Sequence, residues 1–133
     1  EGLENSLFFN NNYQKFKLFN TFSKSREGDG TPQLRRPEQQ FGAKYSRKFI
    51  SNIFGPVDFN YDYRHVGKVE DWKNGSVRAK VDGSDIMNLS ITKDFYGNKW
   101  TLNIFNLTDE AYQRPDTYNQ EGRRIGLSFR NKY

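Results

Sequence analysis

The sequence predicts an all-β fold, an antiparallel up-and-down meander of seven strands. Apolar and polar residues alternate with period two along most of the chain, as on a pleated strand with two unlike faces. The i, i+3, i+4, i+7 spacing of an amphipathic helix is nowhere sustained. The connections between alternating runs are short and long in turn.

Each element has its own signal. Leu3, Leu7 and Phe9 mark a first strand near residues 2–9, and Phe16-Lys17-Leu18 a second over 15–24. Phe41-Gly42-Ala43-Lys44-Tyr45 marks 38–48. The strictest alternation, Val57-Asp58-Phe59-Asn60-Tyr61-Asp62-Tyr63-Arg64, marks 57–65. Met87-Asn88-Leu89-Ser90-Ile91 marks 85–94, Trp100-Thr101-Leu102-Asn103-Ile104 marks 99–106, and Ile125-Gly126-Leu127-Ser128-Phe129-Arg130 marks 122–133.

Composition bounds the function. A length of 133 residues suits one domain. Only 34% of residues are hydrophobic, yet 17% are aromatic, and disordered chains are poor in rings. The absence of cysteine excludes disulfides, thiol nucleophiles and thiolate metal sites, and His65 as the sole histidine excludes a multi-histidine metal site. A mean hydropathy of −0.99 without a long apolar run excludes a transmembrane helix. Asp109 and Glu110 are adjacent carboxylates with no base or nucleophile nearby in sequence, so no enzyme and no cofactor are expected. Glu70, Asp71, Asp82 and Asp85 match no calcium-loop spacing. The net charge of +5 is scattered over Arg35-Arg36, Arg47-Lys48 and Arg123-Arg124, which argues against nucleic acid.

Short connections lie at Asn10–Gln14, Phe49–Pro56 and Phe95–Asn98, long polar ones at Ser25–Pro37, Val66–Ser84 and Leu107–Glu121. Short turns at one end and long loops at the other are the layout of an outer-membrane barrel. Rings gather at the short turns: Phe8, Phe9, Tyr13 and Phe16, then Phe49 and Phe54, then Phe95, Tyr96 and Trp100. Such rings would form a girdle at one membrane interface. A soluble sandwich would place them in a core instead, but half-polar strands leave little to bury between two sheets. Lipid on one face and a wet lumen on the other would cover both.

The run Asn106-Leu107-Thr108-Asp109-Glu110-Ala111-Tyr112, then Gly122-Arg123-Arg124-Ile125 and an alternating strand ending in an aromatic, resembles the C-terminus of TonB-dependent outer-membrane receptors. There the block reads Asn-Leu-x-Asp-x-x-Tyr, a surface loop, a Gly-Arg pair and the final strand, so the matching positions are Asn106, Leu107, Asp109, Tyr112, Gly122 and Arg123. The stretch Asp29–Gln40, with Arg35-Arg36-Pro37, is similar to a loop-to-strand transition of cobalamin receptors and their siderophore relatives. The family usually ends in Phe; this chain ends in Tyr133.

The resemblance covers nearly all of residues 1–133. It implies the C-terminal strands of a 22-stranded transmembrane β-barrel, with the plug domain and earlier strands absent. Such a receptor sits in the bacterial outer membrane among lipid and lipopolysaccharide. Energised through the TonB complex via the missing plug, it imports a scarce, bulky small molecule, cobalamin or a ferric siderophore. The long loops would face outward, with Trp72, Tyr112, Arg114 and Tyr118 best suited to contact ligand. Ile125, Leu127, Phe129 and Tyr133 would form the C-terminal signal for the barrel-assembly machinery, with Ile125, Leu127 and Phe129 on the lipid side. The competing expectation is a soluble β-sandwich that binds carbohydrate through exposed aromatics.

Overall fold

The alternating runs pair into one sheet. In the computed structural model, which describes residues 1–52, 55–73, 77–114 and 118–131, the strands are β1 (Gly2–Asn10), β2 (Gln14–Ser23), β3 (Gln39–Ser51), β4 (Gly55–Val66), β5 (Val69–Lys73), β6 (Val77–Val81), β7 (Ser84–Phe95), β8 (Asn98–Phe105) and β9 (Arg124–Asn131). Seven of them form an antiparallel sheet in the order β1-β2-β3-β4-β7-β8-β9, and β5 and β6 form a separate hairpin. The large sheet is an up-and-down meander, open, with β1 and β9 as its edges.

All seven expected strands are present. Two details of the sequence reading are corrected. The Phe49–Pro56 connection is shorter than expected, because pairing continues through Ile50↔Pro56 and Ser51↔Gly55. The Val66–Ser84 connection is not simply a loop, since β5 and β6 lie within it. Their inward positions are Val69, Asp71 and Val81, and a buried carboxylate among them erases the hydrophobic alternation.

Register assigns every side chain to a face, because directly paired residues point the same way. One row runs Phe9↔Phe16↔Tyr45↔Tyr61↔Leu89↔Ile104↔Ile125 across all seven strands. The next row toward the short turns holds Arg47, Phe59, Ile91, Leu102 and Leu127, and the one after that Phe49, Val57, Lys93, Trp100 and Phe129. The opposite face carries Lys17, Lys44, Asp62 and Asn88 in one row, and Ser90, Asn103 and Gly126 in the next. Of the rings expected at the short turns, Phe9, Phe16, Phe49, Phe95 and Trp100 lie on the apolar face and Tyr13 and Tyr96 in the turns, with one correction: Phe8 pairs with Lys17 and belongs to the polar face. Phe54 and Tyr133 lie outside the described residues.

No second layer covers the apolar face among the described residues. Leu7 is 64% exposed and Leu127 67%, and the buried hydrophobic residues are Val69 and Val81 of the hairpin. The accessible surface is 9707 Å², against about 7,300 Å² for a compact monomer of this mass. An uncovered apolar sheet of this extent marks an interface rather than a finished surface.

The sheet is also sheared. Measured from the shared row, β2 ends seven residues above at Ser23, whereas β9 begins one above at Arg124. The turn ends drop likewise, from Asn10 one residue below that row to Ser51 and Phe95 six below it. A stagger of six residues is about 20 Å along the strands. The drop comes in steps, between β2 and β3 at the turn ends and between β7 and β8 at the opposite ends.

Gly42 marks a tight point in this sheet. A Cβ there would meet the Tyr63 carbonyl and, at 2.6 Å, the ring of Phe19. Phe19 is its direct cross-strand partner and lies over the missing side chain, the arrangement by which an aromatic covers a strand glycine.

Candidate functional site

The three long connections emerge at one end of the sheet, so residues far apart in sequence meet there. The 24–38 connection has internal structure. Arg26 and Pro32 form a β-bridge, Gly30 adopts φ +84° in the turn between them, and Gln33 N–H donates to the Ser25 carbonyl at 2.9 Å. Arg35 sits at φ +59° and fastens this connection to the hairpin twice. Its backbone N–H donates to Glu70 O at 2.8 Å, and its Nε donates to Asp71 Oδ1 at 2.8 Å. The Asp71 side chain is 1% exposed and also accepts the Trp72 N–H at 2.8 Å, because a buried carboxylate must be paired and hydrogen-bonded. Arg78 adds a second fastening: it donates to Pro32 O at 2.7 Å and pairs with Glu27 at 2.7 Å and Glu70 at 3.2 Å. Its guanidinium lies 5.6 Å from the ring centroid of Trp72, its cross-strand neighbour.

The Asn106–Tyr112 element is a second knot. Asn106 is 4% exposed at φ +50°, a left-handed conformation that Asn tolerates better than most residues. Its amide Oδ1 accepts Glu110 N–H at 2.9 Å, and its Nδ2 donates to Glu110 O at 2.9 Å and Glu121 O at 3.4 Å. Leu107 N–H donates to Met87 O at 2.7 Å, and Glu110 Oε1 accepts Asp85 N–H at 2.8 Å. Asp109, also left-handed at φ +59°, accepts the Arg123 N–H at 2.6 Å. A Cβ on Gly122 would lie 2.9 Å from Asp109 Oδ1, so a side chain there would press on this carboxylate. The sequence element thus ties β7, β8 and the start of β9 together; its carboxylates act as hydrogen-bond acceptors.

The four expected ligand-contact residues fall into two groups. Trp72 on β5 and Tyr118 are 42% and 67% exposed at the outer end. Tyr112 and Arg114 belong to a short ladder in which Gln120 N–H donates to Tyr112 O and Arg114 N–H donates to Tyr118 O. The Arg114 guanidinium turns back toward the sheet, 3.4 Å from Val66 O and 3.3 Å from Ser84 Oγ. Burial lowers its pKa. Ile125, Leu127 and Phe129 share the apolar face, with Phe129 4.8 Å from Trp100 between ring centroids. Arg124, on the polar face, pairs with Glu121 at 3.4 Å and lies 4.6 Å from the Phe105 centroid.

The sequence reading missed a polar trio at the same end, on the apolar face. Asp85 Oδ1 accepts Tyr63 Oη–H at 2.6 Å and lies 2.8 Å from His65 Nδ1, whose ring stacks on Phe41 at 4.5 Å. The partners are 20 and 22 residues away in sequence, so no local pattern announces them. The four acids considered for calcium are dispersed: Asp71 binds Arg35, Glu70 binds Arg78, Asp82 binds Lys68 and Asp85 binds this trio.

Comparison with protein-family models finds none that matches this chain, and comparison with curated proteins finds no match either.

Proposed function

We propose that the seven-stranded sheet is a wall segment of a bacterial outer-membrane transport barrel, the C-terminal part of a TonB-dependent receptor that imports a bulky nutrient such as cobalamin or a ferric siderophore. The observation that carries this reading is the apolar face, with one row apolar across all seven antiparallel strands and no covering layer among the described residues. In water that face has no stable resting state; against lipid it needs no second layer, while the polar face lines a wet lumen.

The stagger supports the same reading, because strands in a barrel wall are tilted and offset from one another. Seven strands are fewer than the roughly eight of the smallest natural barrels, so both open edges are places for further strands. Rings cluster toward the short-turn rim, with Phe49 and Phe59 centroids 6.2 Å apart and Arg47 and Lys93 lying over Phe49 and Phe95. Trp72, Tyr112 and Tyr118 would offer rings to a ligand at the outer rim. TonB would act through a plug domain outside this sheet, and the barrel-assembly machinery would take β9 at its edge.

The chain has no cysteine, so single cysteines at Leu89, Ser90, Ile91 and Thr92 can each carry a fluorophore. In bilayer vesicles, brominated lipid should quench the Leu89 and Ile91 labels, and iodide should quench the Ser90 and Thr92 labels. A chain that stays monodisperse in plain buffer, with all four labels indifferent to brominated lipid, defeats the proposal and points to the soluble carbohydrate-binding module.

A further inference from the structure

The 24–38 connection and the β5–β6 hairpin enclose an open cavity of about 480 Å³. Its charged lining is Arg26, Arg36, Lys68 and Lys80 against Glu38 and Glu70. Both carboxylates are engaged, Glu38 with Arg26 at 2.8 Å and Glu70 with Arg78 at 3.2 Å. Lys68 reaches Asp82 at 3.2 Å, but both side chains are well exposed and such a pair is weak. Lys80 stands directly across from Glu70 in the hairpin register, yet the Glu70 carboxylate bonds Arg78. Arg36 and Lys80 form no ion pair among the described residues.

The walls are preformed. Arg35, bonded to Glu70 and Asp71, fastens the connection to the hairpin beside Arg36. The bridge between Arg26 and Pro32 and the Ser23 N–H bond to Glu38 O at 2.8 Å fix the other side. Gly67 N–H donates to Gln39 O at 2.8 Å and closes the floor where β3 and β4 end.

We propose that this cavity binds a phosphate-bearing anion. The lining carries four cations and two carboxylates, a surplus of two positive charges. A phosphomonoester carries about −1.5 to −2 at neutral pH and so matches that surplus. The Arg36 guanidinium presents a planar fork suited to two phosphate oxygens, and Lys80 adds a point charge. The phosphate belongs either to a lipid headgroup, since the cavity lies just beyond Phe22 and Phe41 of the apolar face, or to a soluble phosphorylated ligand. The site stands on its own charge and geometry and does not need the sheet to cross a membrane.

The test uses the full chain in zwitterionic detergent, titrated with inorganic pyrophosphate by calorimetry. Arg36→Gln/Lys80→Gln should weaken binding by about tenfold or more. Lys15→Gln/Lys99→Gln removes the same charge from the polar groove by the short turns and should change binding less than about twofold. A second arm floats the chain on phosphatidylcholine vesicles with and without phosphatidic acid. Phosphatidic-acid-dependent flotation that the Arg36/Lys80 variant loses assigns the site to a lipid phosphate. Selective pyrophosphate binding without a vesicle preference assigns it to a soluble ligand. The proposal is overturned if neither probe binds, or if both double variants weaken binding equally.

Discussion

Asp109 accepts the backbone N–H of Arg123 at 2.6 Å, beside Gly122, where a side chain would press on the same carboxylate. Fourteen residues of connection are closed by that bond. Asp109→Ala should cost about 1–2 kcal/mol, since it removes a charged acceptor and places a residue less tolerant of φ +59° there. Asp109→Asn keeps an acceptor and tolerates the backbone, so it should recover most of the loss. Hydrogen exchange of the Arg123 amide distinguishes the two; equal exchange in both variants removes the bond from the account.

Asn106→Gly separates backbone from side chain at the second knot. Glycine adopts φ +50° readily, so the loss beyond glycine's entropy cost of about 0.5–1 kcal/mol reports the bonds to Glu110 and Glu121. The expected cost is about 1–3 kcal/mol, from buried groups left without partners. Proteolysis confined to residues 107–123 would show the connection opening while the strands persist.

Opposite faces of β7 should respond oppositely to charge. Leu89 lies in the apolar row shared by all seven strands and Ser90 in the polar row beside it. If the sheet crosses a bilayer as proposed, Leu89→Arg should destabilise it there by about 2–4 kcal/mol. Ser90→Arg, facing water, should fall within about 0.5 kcal/mol of the unmodified chain. Unfolding in urea from lipid vesicles measures both, and a cost at Ser90 matching that at Leu89 contradicts the assignment of faces.

Gly42→Ala should be poorly tolerated, at about 1–3 kcal/mol, because the new methyl meets the Tyr63 carbonyl and the Phe19 ring. Phe19→Ala in the same chain should not restore stability, since the carbonyl belongs to the backbone and cannot withdraw. Full rescue by Phe19→Ala would assign the whole conflict to the ring.

The Asp29 carboxyl should titrate below its ordinary value of 3.8, because Thr31 donates its hydroxyl at 2.6 Å and its backbone N–H at 2.9 Å to the ionised form. A depressed folded pKa stabilises the turn above the ordinary value, and this contribution is lost as pH falls through the folded one. Thr31→Ala should move the titration back upward. Carboxyl chemical shifts followed by NMR between neutral and acid pH report it, and an unmoved midpoint in the variant disproves the assigned cause.

Strand identity and the two faces were legible in the residues themselves, from Leu3 to Phe129, because period-two alternation is local and each side chain's direction follows from its neighbours. The knot at Asn106, Asp109 and Gly122 was visible as a motif, but its bonds were not, since one end lies on β7. Asp71 with Arg35, 36 residues apart, and Tyr63 with His65 and Asp85 left no periodic trace, because a pairing between distant strands depends on register. Tertiary structure also decided the six-residue stagger, the hairpin hidden in the Val66–Ser84 connection, and the side on which Phe8 falls. Alternation sorts side chains into two sets along one strand; only pairing with its neighbours decides which sets join into one face.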